Sequence, residues 1–279
     1  MAGTLFVVAT PIGHLDDITL RALRVLREVA VVAAEDTRRT GNLLRHFGIA
    51  TRLLSLHAHN ETARSGRLLA LLADGQSVAL VSDAGTPAIS DPGAGLVALA
   101  RARGIRVEPI PGPSAVAAAL SVSGLEDGTF AFLGFPPNRS KDRIAWFSRC
   151  KRLLGELPVV FFEAPHRVRQ TLQDLDDSVK YPIFIFRELT KLHEEHLAGT
   201  TVELLTALPQ PQGEFTVVIP RAPVAASRDV TVDKHLILKE FGHLSSVGRS
   251  SRREVAREVG RKFGLSTKQI YDLTKDQAG

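Results

Sequence analysis

Over the first 115 residues, short apolar runs alternate with stretches whose apolar positions recur every three or four residues. The runs at 5–9, 29–34, 78–82 and 107–110 read as strands. They are too short and too rich in Val and Ile to be buried helices. Asp16 or Asp17 can cap a helix that runs to about Glu28; a second helix over 61–73 ends near Gly75, and a third over 92–103 ends at Gly104. This alternation predicts βαβ units around a largely parallel sheet. The pattern restarts with strands at 130–133, 159–162, 183–186 and 216–219, and with helices over 142–154 and 165–177. Residues 220–228, rich in Pro, Ala and Ser, read as a linker into a helical tail from about Asp233. The expected organisation is an α/β protein with an N-terminal subdomain over 1–117, a second α/β subdomain over 118–224 and a small helical basic appendage over 229–279.

Composition narrows the class of protein. Forty-four per cent of the 279 residues are hydrophobic, enough for a proper core. With one cysteine, Cys150, no intramolecular disulfide or cysteine-based zinc site can form, and a reducing compartment is expected. The start Met-Ala-Gly-Thr leads into an apolar run without a basic leader, and no run reaches membrane-spanning length. A cytoplasmic protein without membrane attachment is therefore expected. The net charge of +5 is uneven: residues 225–279 hold 11 Lys and Arg against 7 Asp and Glu, leaving 24 against 23 in the rest. A basic tail suits a polyanion, since neutralised phosphates release counterions, although it also fits a solvated helical surface.

The densest turn chemistry is Ser82-Asp83-Ala84-Gly85-Thr86-Pro87-Ala88-Ile89-Ser90-Asp91-Pro92-Gly93, directly after a strand. Open α/β sheets hold ligands beyond the carboxyl ends of their strands. Glycine there admits a ligand to the backbone, and proline stiffens it. Pro111-Gly112-Pro113-Ser114-Ala115 repeats this grammar after the next strand. A phosphate-binding lysine loop is absent, and the first strand is followed by Thr10-Pro11-Ile12-Gly13 rather than Gly-x-Gly-x-x-Gly.

Taken in order, Thr10-Pro11-Ile12-Gly13, Glu35-Asp36-Thr37-Arg38, the 83–93 loop, Pro111 to Ala115, Gly134-Phe135-Pro136-Pro137, Phe162-Glu163-Ala164-Pro165-His166-Arg167 and Arg187-Glu188-Leu189-Thr190-Lys191 resemble the tetrapyrrole methylase superfamily over roughly 4–221. Within it they resemble the ribosomal RNA small subunit methyltransferase I branch. The resemblance implies a two-subdomain fold holding S-adenosylmethionine between the subdomains, usually as a homodimer. It also implies methylation of a cytidine 2′-hydroxyl in the decoding region of 16S rRNA within the 30S subunit. Carried over by motif, Pro11, Ile12, Asp83, Gly85, Thr86, Ile89, Ser114, Ala115 and Phe162 should contact the methyl donor. His14 departs from the branch, which usually carries asparagine there.

A sulfonium is already a good leaving group, so methyl transfer mainly needs alignment. A ribose hydroxyl is a poor nucleophile and needs its proton removed or its developing charge stabilised. Candidates are Asp36 and Glu35, Glu163, and Lys191 if desolvation leaves it neutral. Asp36, Lys191 and Glu163 are the catalytic expectation. Against it, Asp36 can simply cap the helix beginning at Thr37, and Glu163 can simply pair with Arg167. Arg38 and Arg39, with Arg139 and Lys141 in the basic stretch 138–152, are expected on RNA. Trp146 and Phe147 in that stretch fit either base stacking or a helix core. His57, His59, Asn60 and Glu61 fit helix capping or RNA contact better than a metal. The tail, with Ser251 to Gly260 followed by Gly264 to Thr274, resembles a helix pair joined by a turn and is expected to position RNA. The rival readings are a methylase of porphyrin-like molecules and a nucleic-acid-binding regulator.

Overall fold

The structure, a computed structural model, describes residues 2–126, 128–176, 179–223, 234–247, 252–263 and 267–274. Asp177 at the expected end of one helix, residues 224–233 of the linker and tail start, Ser251, and Gly264 to Ser266 lie outside the described residues. The chain divides into two compact units, Met1–Ala222 and Pro223–Gly279.

The first unit begins with β1 (Thr4–Val8), α1 (Leu20–Glu28), β2 (Val31–Ala34), α2 (Thr37–His46), β3 (Leu53–Ser55), α3 (Glu61–Ala73), β4 (Val78–Val81), α4 (Ala94–Ala102), β5 (Arg106–Ile110) and α5 (Ala115–Val122). Its five strands form a parallel sheet in the order β3-β2-β4-β1-β5. β2 and β4 are buried at every position, as expected of strands covered on both faces. One face packs Leu68, Leu69 and Leu72 of α3 and Leu96 of α4; the other packs Ala22, Val25 and Leu26 of α1 and Leu44 of α2. Thr19, not Asp16 or Asp17, caps α1, its side chain accepting from the Ala22 N–H. The two aspartates lie in a 3₁₀ turn, Leu15–Asp17.

A second sheet follows, built from β6 (Ala131–Phe132), α6 (Ser140–Leu154), β7 (Val159–Glu163), α7 (Pro165–Asp176), β8 (Ile183–Arg187), β9 (Glu195–Gly199), α8 (Thr201–Ala207) and β10 (Phe215–Ile219). The order is β6-β7-β10-β8-β9, with only β6 and β7 parallel. β9 and α8 have no counterpart in the sequence reading. β9 is an edge strand of sequence EHLAG, whose polar residues hide the alternation that marks a half-buried strand. α6, α7 and α8 cover one face of this sheet through Trp146, Leu172 and Leu204. On the other face, Val116 and Ala119 of α5 pack against Val160, Phe186 and Val218. α5 thus belongs by chain to the first sheet and by packing to the second. In the terminal unit, α9 (Lys234–Val247), α10 (Arg252–Phe263) and α11 (Thr267–Thr274) share a core of Ile237, Phe241, Val255, Val259 and Ile270.

Candidate active site

The carboxyl ends of the first sheet's strands meet one rim of the second sheet. Phe215 at the start of β10 pairs with Glu163 at the end of β7 and with Arg187 at the end of β8, so these three ends share that rim. A cavity of about 410 Å³ lies between them. Its walls include Ile12, Asp83, Gly85, Thr86, Ile89, Ser114, Ala115 and Phe162, the residues expected to hold the donor except Pro11, which is buried beside Ile12. Phe135, Asp91, Glu214, Phe215 and Thr216, which are not among the residues expected at the site, also line it. Glu214 and Phe215 could not be found from motif, since β10 reaches the cavity only through sheet pairing. Phe135 belongs to a quoted motif, and its half-exposed ring stands 5.4 Å from that of Phe162.

The loop after β1 is joined to the loop after β4 by paired backbone hydrogen bonds: Thr10 N–H to Gly85 O at 2.9 Å and Gly85 N–H to Thr10 O at 3.0 Å. Gly85 adopts φ +75, a conformation that favours glycine. Asp83 ties this loop to the end of β2: one oxygen accepts the Asp36 N–H at 2.9 Å and the other accepts Arg39 Nη1 at 3.4 Å. Arg39 is therefore at the cavity wall, whereas Arg38 points outward with 89% of its side chain exposed.

Asp36 caps α2. Its carboxylate accepts the Arg38 N–H at 2.8 Å and Arg38 Nη2 at 2.9 Å. These bonds from the Arg38 side chain and then its backbone pull its pKa down to about 2. It does not line the cavity, and so low a proton affinity makes a weak base. Lys191 Nζ donates to Glu188 at 2.8 Å and to Glu214 at 2.9 Å. Burial opposes its charge, but the two carboxylates outweigh burial and raise its pKa. It is an ammonium, so the neutral-lysine role expected from the sequence does not fit this setting. The Glu163 carboxylate is wholly buried: Arg167 Nε and Nη2 donate to it at 2.9 and 2.6 Å, as do the Ala164 N–H and the Thr171 hydroxyl.

Two carboxylates at the wall differ from these. Glu35 and Asp91 form no ion pair among the described residues. Burial, followed by the charge of Asp83 and then of Asp91, raises the pKa of Glu35. Burial raises that of Asp91 too, against a hydrogen bond from Ser82.

Elsewhere, Arg139 and Lys141 are exposed at the start of α6, outside the cavity. Trp146 is core, edge-on to Phe161, with Nε1 donating to Leu133 O at 3.3 Å. Phe147 packs partly against the same core beneath Arg143, whose guanidinium lies 5.0 Å from its ring centroid. Asn60 closes the turn after β3, accepting the His57 N–H at 2.9 Å, while Glu61 accepts the Leu96 N–H at 3.1 Å in the first turn of α4. Among the described residues no three His, Cys, Asp or Glu side chains gather as a metal site.

Residues 4–205 match the family model for Tetrapyrrole (Corrin/Porphyrin) Methylases. The chain is 45% identical over 281 residues to the ribosomal RNA small subunit methyltransferase I of Xylella fastidiosa (strain Temecula1), a match covering 96% of this chain and 98% of that protein. This chain belongs to the ribosomal RNA small subunit methyltransferase I family. The methyltransferase is also 53% identical over 196 residues to the Pseudomonas aeruginosa protein of that name, covering 69% of this chain and 68% of that one. A solved diphthine synthase shares the fold with a TM-score of 0.62 at 18% identity, covering 78% of this chain and 89% of that one. Like its family, this methyltransferase uses S-adenosylmethionine. The cavity fits that donor: its size lies in the range of small-molecule sites, and Ile12, Ala115 and Phe162 offer apolar surface to it. No helix among the described residues is long and apolar enough to cross a membrane.

Proposed function

We propose that this enzyme methylates the 2′-hydroxyl of a cytidine in the decoding region of 16S rRNA, within the 30S subunit, as a homodimer in the cytoplasm. The observation that carries the reading is 45% identity, over nearly the whole of both chains, to a relative named for that ribosomal subunit. It is supported by a cavity walled by the donor-loop motifs. S-adenosylmethionine supplies an electrophilic methyl group carried on a sulfonium. The protein's part is to hold donor and ribose in line and to remove one proton.

In this reading Ile12, Asp83, Gly85, Thr86, Ile89, Ser114, Ala115 and Phe162 hold the donor, with Pro11 supporting Ile12. Asp83 acts through backbone placement, because both its side-chain oxygens are spent on the end of β2 and on Arg39. Arg38, Arg39, Arg139 and Lys141 take RNA phosphates. Lys191, as an ammonium, neutralises Glu214 at the cavity rim and stabilises charge developing there. Asp36 and Glu163 are positioning residues: Asp36 orders the start of α2, and Glu163 orders Arg167.

The deciding experiment is radiolabelled methyl transfer to 30S particles, free 16S rRNA and uroporphyrinogen, followed by nucleotide mapping. Label confined to one cytidine ribose of 16S rRNA is the expected result; label on uroporphyrinogen alone would overturn the reading. Light scattering at micromolar concentration should give twice the chain mass.

A further inference from the structure

A 2′-hydroxyl has to lose its proton as it is methylated, and the groups first suited to take it are committed elsewhere. Asp36 is held by Arg38, Glu163 by Arg167 and Thr171, and Lys191 is an ammonium between two carboxylates. Glu35 is not so committed. It follows the last residue of β2, where the parallel sheet ends, and it lines the same cavity as the donor loop. No side chain among the described residues hydrogen-bonds to it; its partner is the backbone of Asp83.

We propose that Glu35 is the general base of this methyltransferase, accepting the substrate hydroxyl's proton on its carboxylate. The assignment rests on the hydroxyl-methylation reading above. Glu35 takes the proton as the hydroxyl oxygen bonds to the methyl carbon; the carbon–sulfur bond breaks with its electron pair left on sulfur, and Glu35 then passes the proton to water. The surroundings suit this work. Burial and the neighbouring charges of Asp83 and Asp91, opposed only by the attraction of Arg39 and the bond with the Asp83 backbone, raise the proton affinity of Glu35 above that of an ordinary glutamate. The rival at the wall is Asp91, which already takes a hydrogen bond from Ser82.

The test pairs single-turnover methylation of 30S particles at saturating donor with donor calorimetry and thermal melts, on the wild type and on Glu35→Gln, Glu35→Asp and Asp91→Asn. Glu35→Gln should lose about 100-fold or more in rate. It should keep donor affinity and melt no lower than the wild type near neutral pH, because a carboxylate crowded by like charges is gone. Glu35→Asp should recover part of the rate, and Asp91→Asn should lose less of it than Glu35→Gln. Rates for Glu35→Gln equal to the wild type, a loss traced wholly to donor affinity, or a lowered melt with proportionate loss would overturn the assignment. A wild type that leaves the ribose unmethylated overturns the substrate reading and this assignment with it; an active wild type beside an equally active Glu35→Gln overturns only the assignment.

Discussion

The backbone N–H of His14 donates to Thr190 Oγ1 at 3.0 Å, tying the loop after β1 to the loop after β8. Gly13 makes the approach possible: a Cβ there would stand 2.5 Å from Lys191 Cγ and 2.6 Å from Thr190 Oγ1. On the far side, Glu188 and Thr190 adopt φ +51 and +64. A β-branched residue in that region is strained and stays there only because its surroundings insist. His14 itself is a substitute cap, its Nδ1 accepting the Asp16 N–H at 3.3 Å, a task an asparagine could also perform.

Gly13→Ala should therefore lower stability by about 1–3 kcal/mol, the usual cost of overpacking. It should also weaken donor binding, since the close approach sets the spacing of the two cavity walls. Thermal melts and calorimetry check both; a variant with wild-type values in each would show that the loops part easily.

Thr86 lies on the cavity wall, its hydroxyl donating to Pro113 O at 3.3 Å. Thr86→Trp should fill the space and reduce donor affinity by about tenfold or more, each tenfold being about 1.4 kcal/mol. Wild-type affinity by calorimetry in the folded variant would place the donor elsewhere.

Asp36→Asn should lower the melting temperature near neutral pH while leaving single-turnover chemistry largely intact. The sign follows from the direction of the shift. The folded carboxyl titrates at about 2 against 3.8 in the absence of partners, so its contribution is full above 3.8 and disappears as pH falls toward 2. The melting difference between Asp36→Asn and the wild type should shrink across that window. A stable but catalytically dead variant would instead restore Asp36 to the chemistry.

Strands, the loops that feed the cavity and the helical tail are legible because they obey local rules: β2 and β4 are continuous apolar runs, and Gly and Pro punctuate the loops they feed. What could not be read depends on distance in the chain. Glu214 reaches the cavity because β10 pairs antiparallel with both β7 and β8. The choice between Asp36 and Glu35 turns on which carboxylate faces outward to Arg38 and which faces Asp83, and adjacent residues in a sequence carry no such information. The ammonium character of Lys191 likewise depends on Glu214, 23 residues away.

Residues 229–279 hold 10 Lys and Arg against 7 Asp and Glu, and so +3 of the net charge of +5. Removing them after Arg228 should weaken binding to 16S rRNA and flatten its salt dependence, by about 0.7–0.9 in slope for each phosphate that the tail no longer neutralises. Donor affinity should not change. Filter binding across a salt series measures RNA affinity and slope, and an unaltered RNA slope in a well-folded truncation would remove the tail from the RNA interface.

Glu163 offers the sharpest test of positioning against catalysis. Its side chain is fully buried and that of Arg167 is 18% exposed, so the carboxylate cannot turn to water. Arg167 spends its remaining donors on Pro136 O, at 2.8 Å, and on Asn138. The pair thus fastens the loop that carries Phe135 to the end of β7. Glu163→Ala leaves a guanidinium without its partner and should cost about 3–5 kcal/mol, the penalty for breaking a buried pair from one side. Glu163→Gln keeps the shape and some hydrogen bonds and should cost less. In both variants the backbone amides around Phe135 should exchange hydrogen faster, and donor affinity should fall with that loosening. The chemical step at saturating donor should hold close to the wild-type rate. A reduced single-turnover rate with unchanged loop protection and donor affinity would mean that Glu163 acts on the substrate directly.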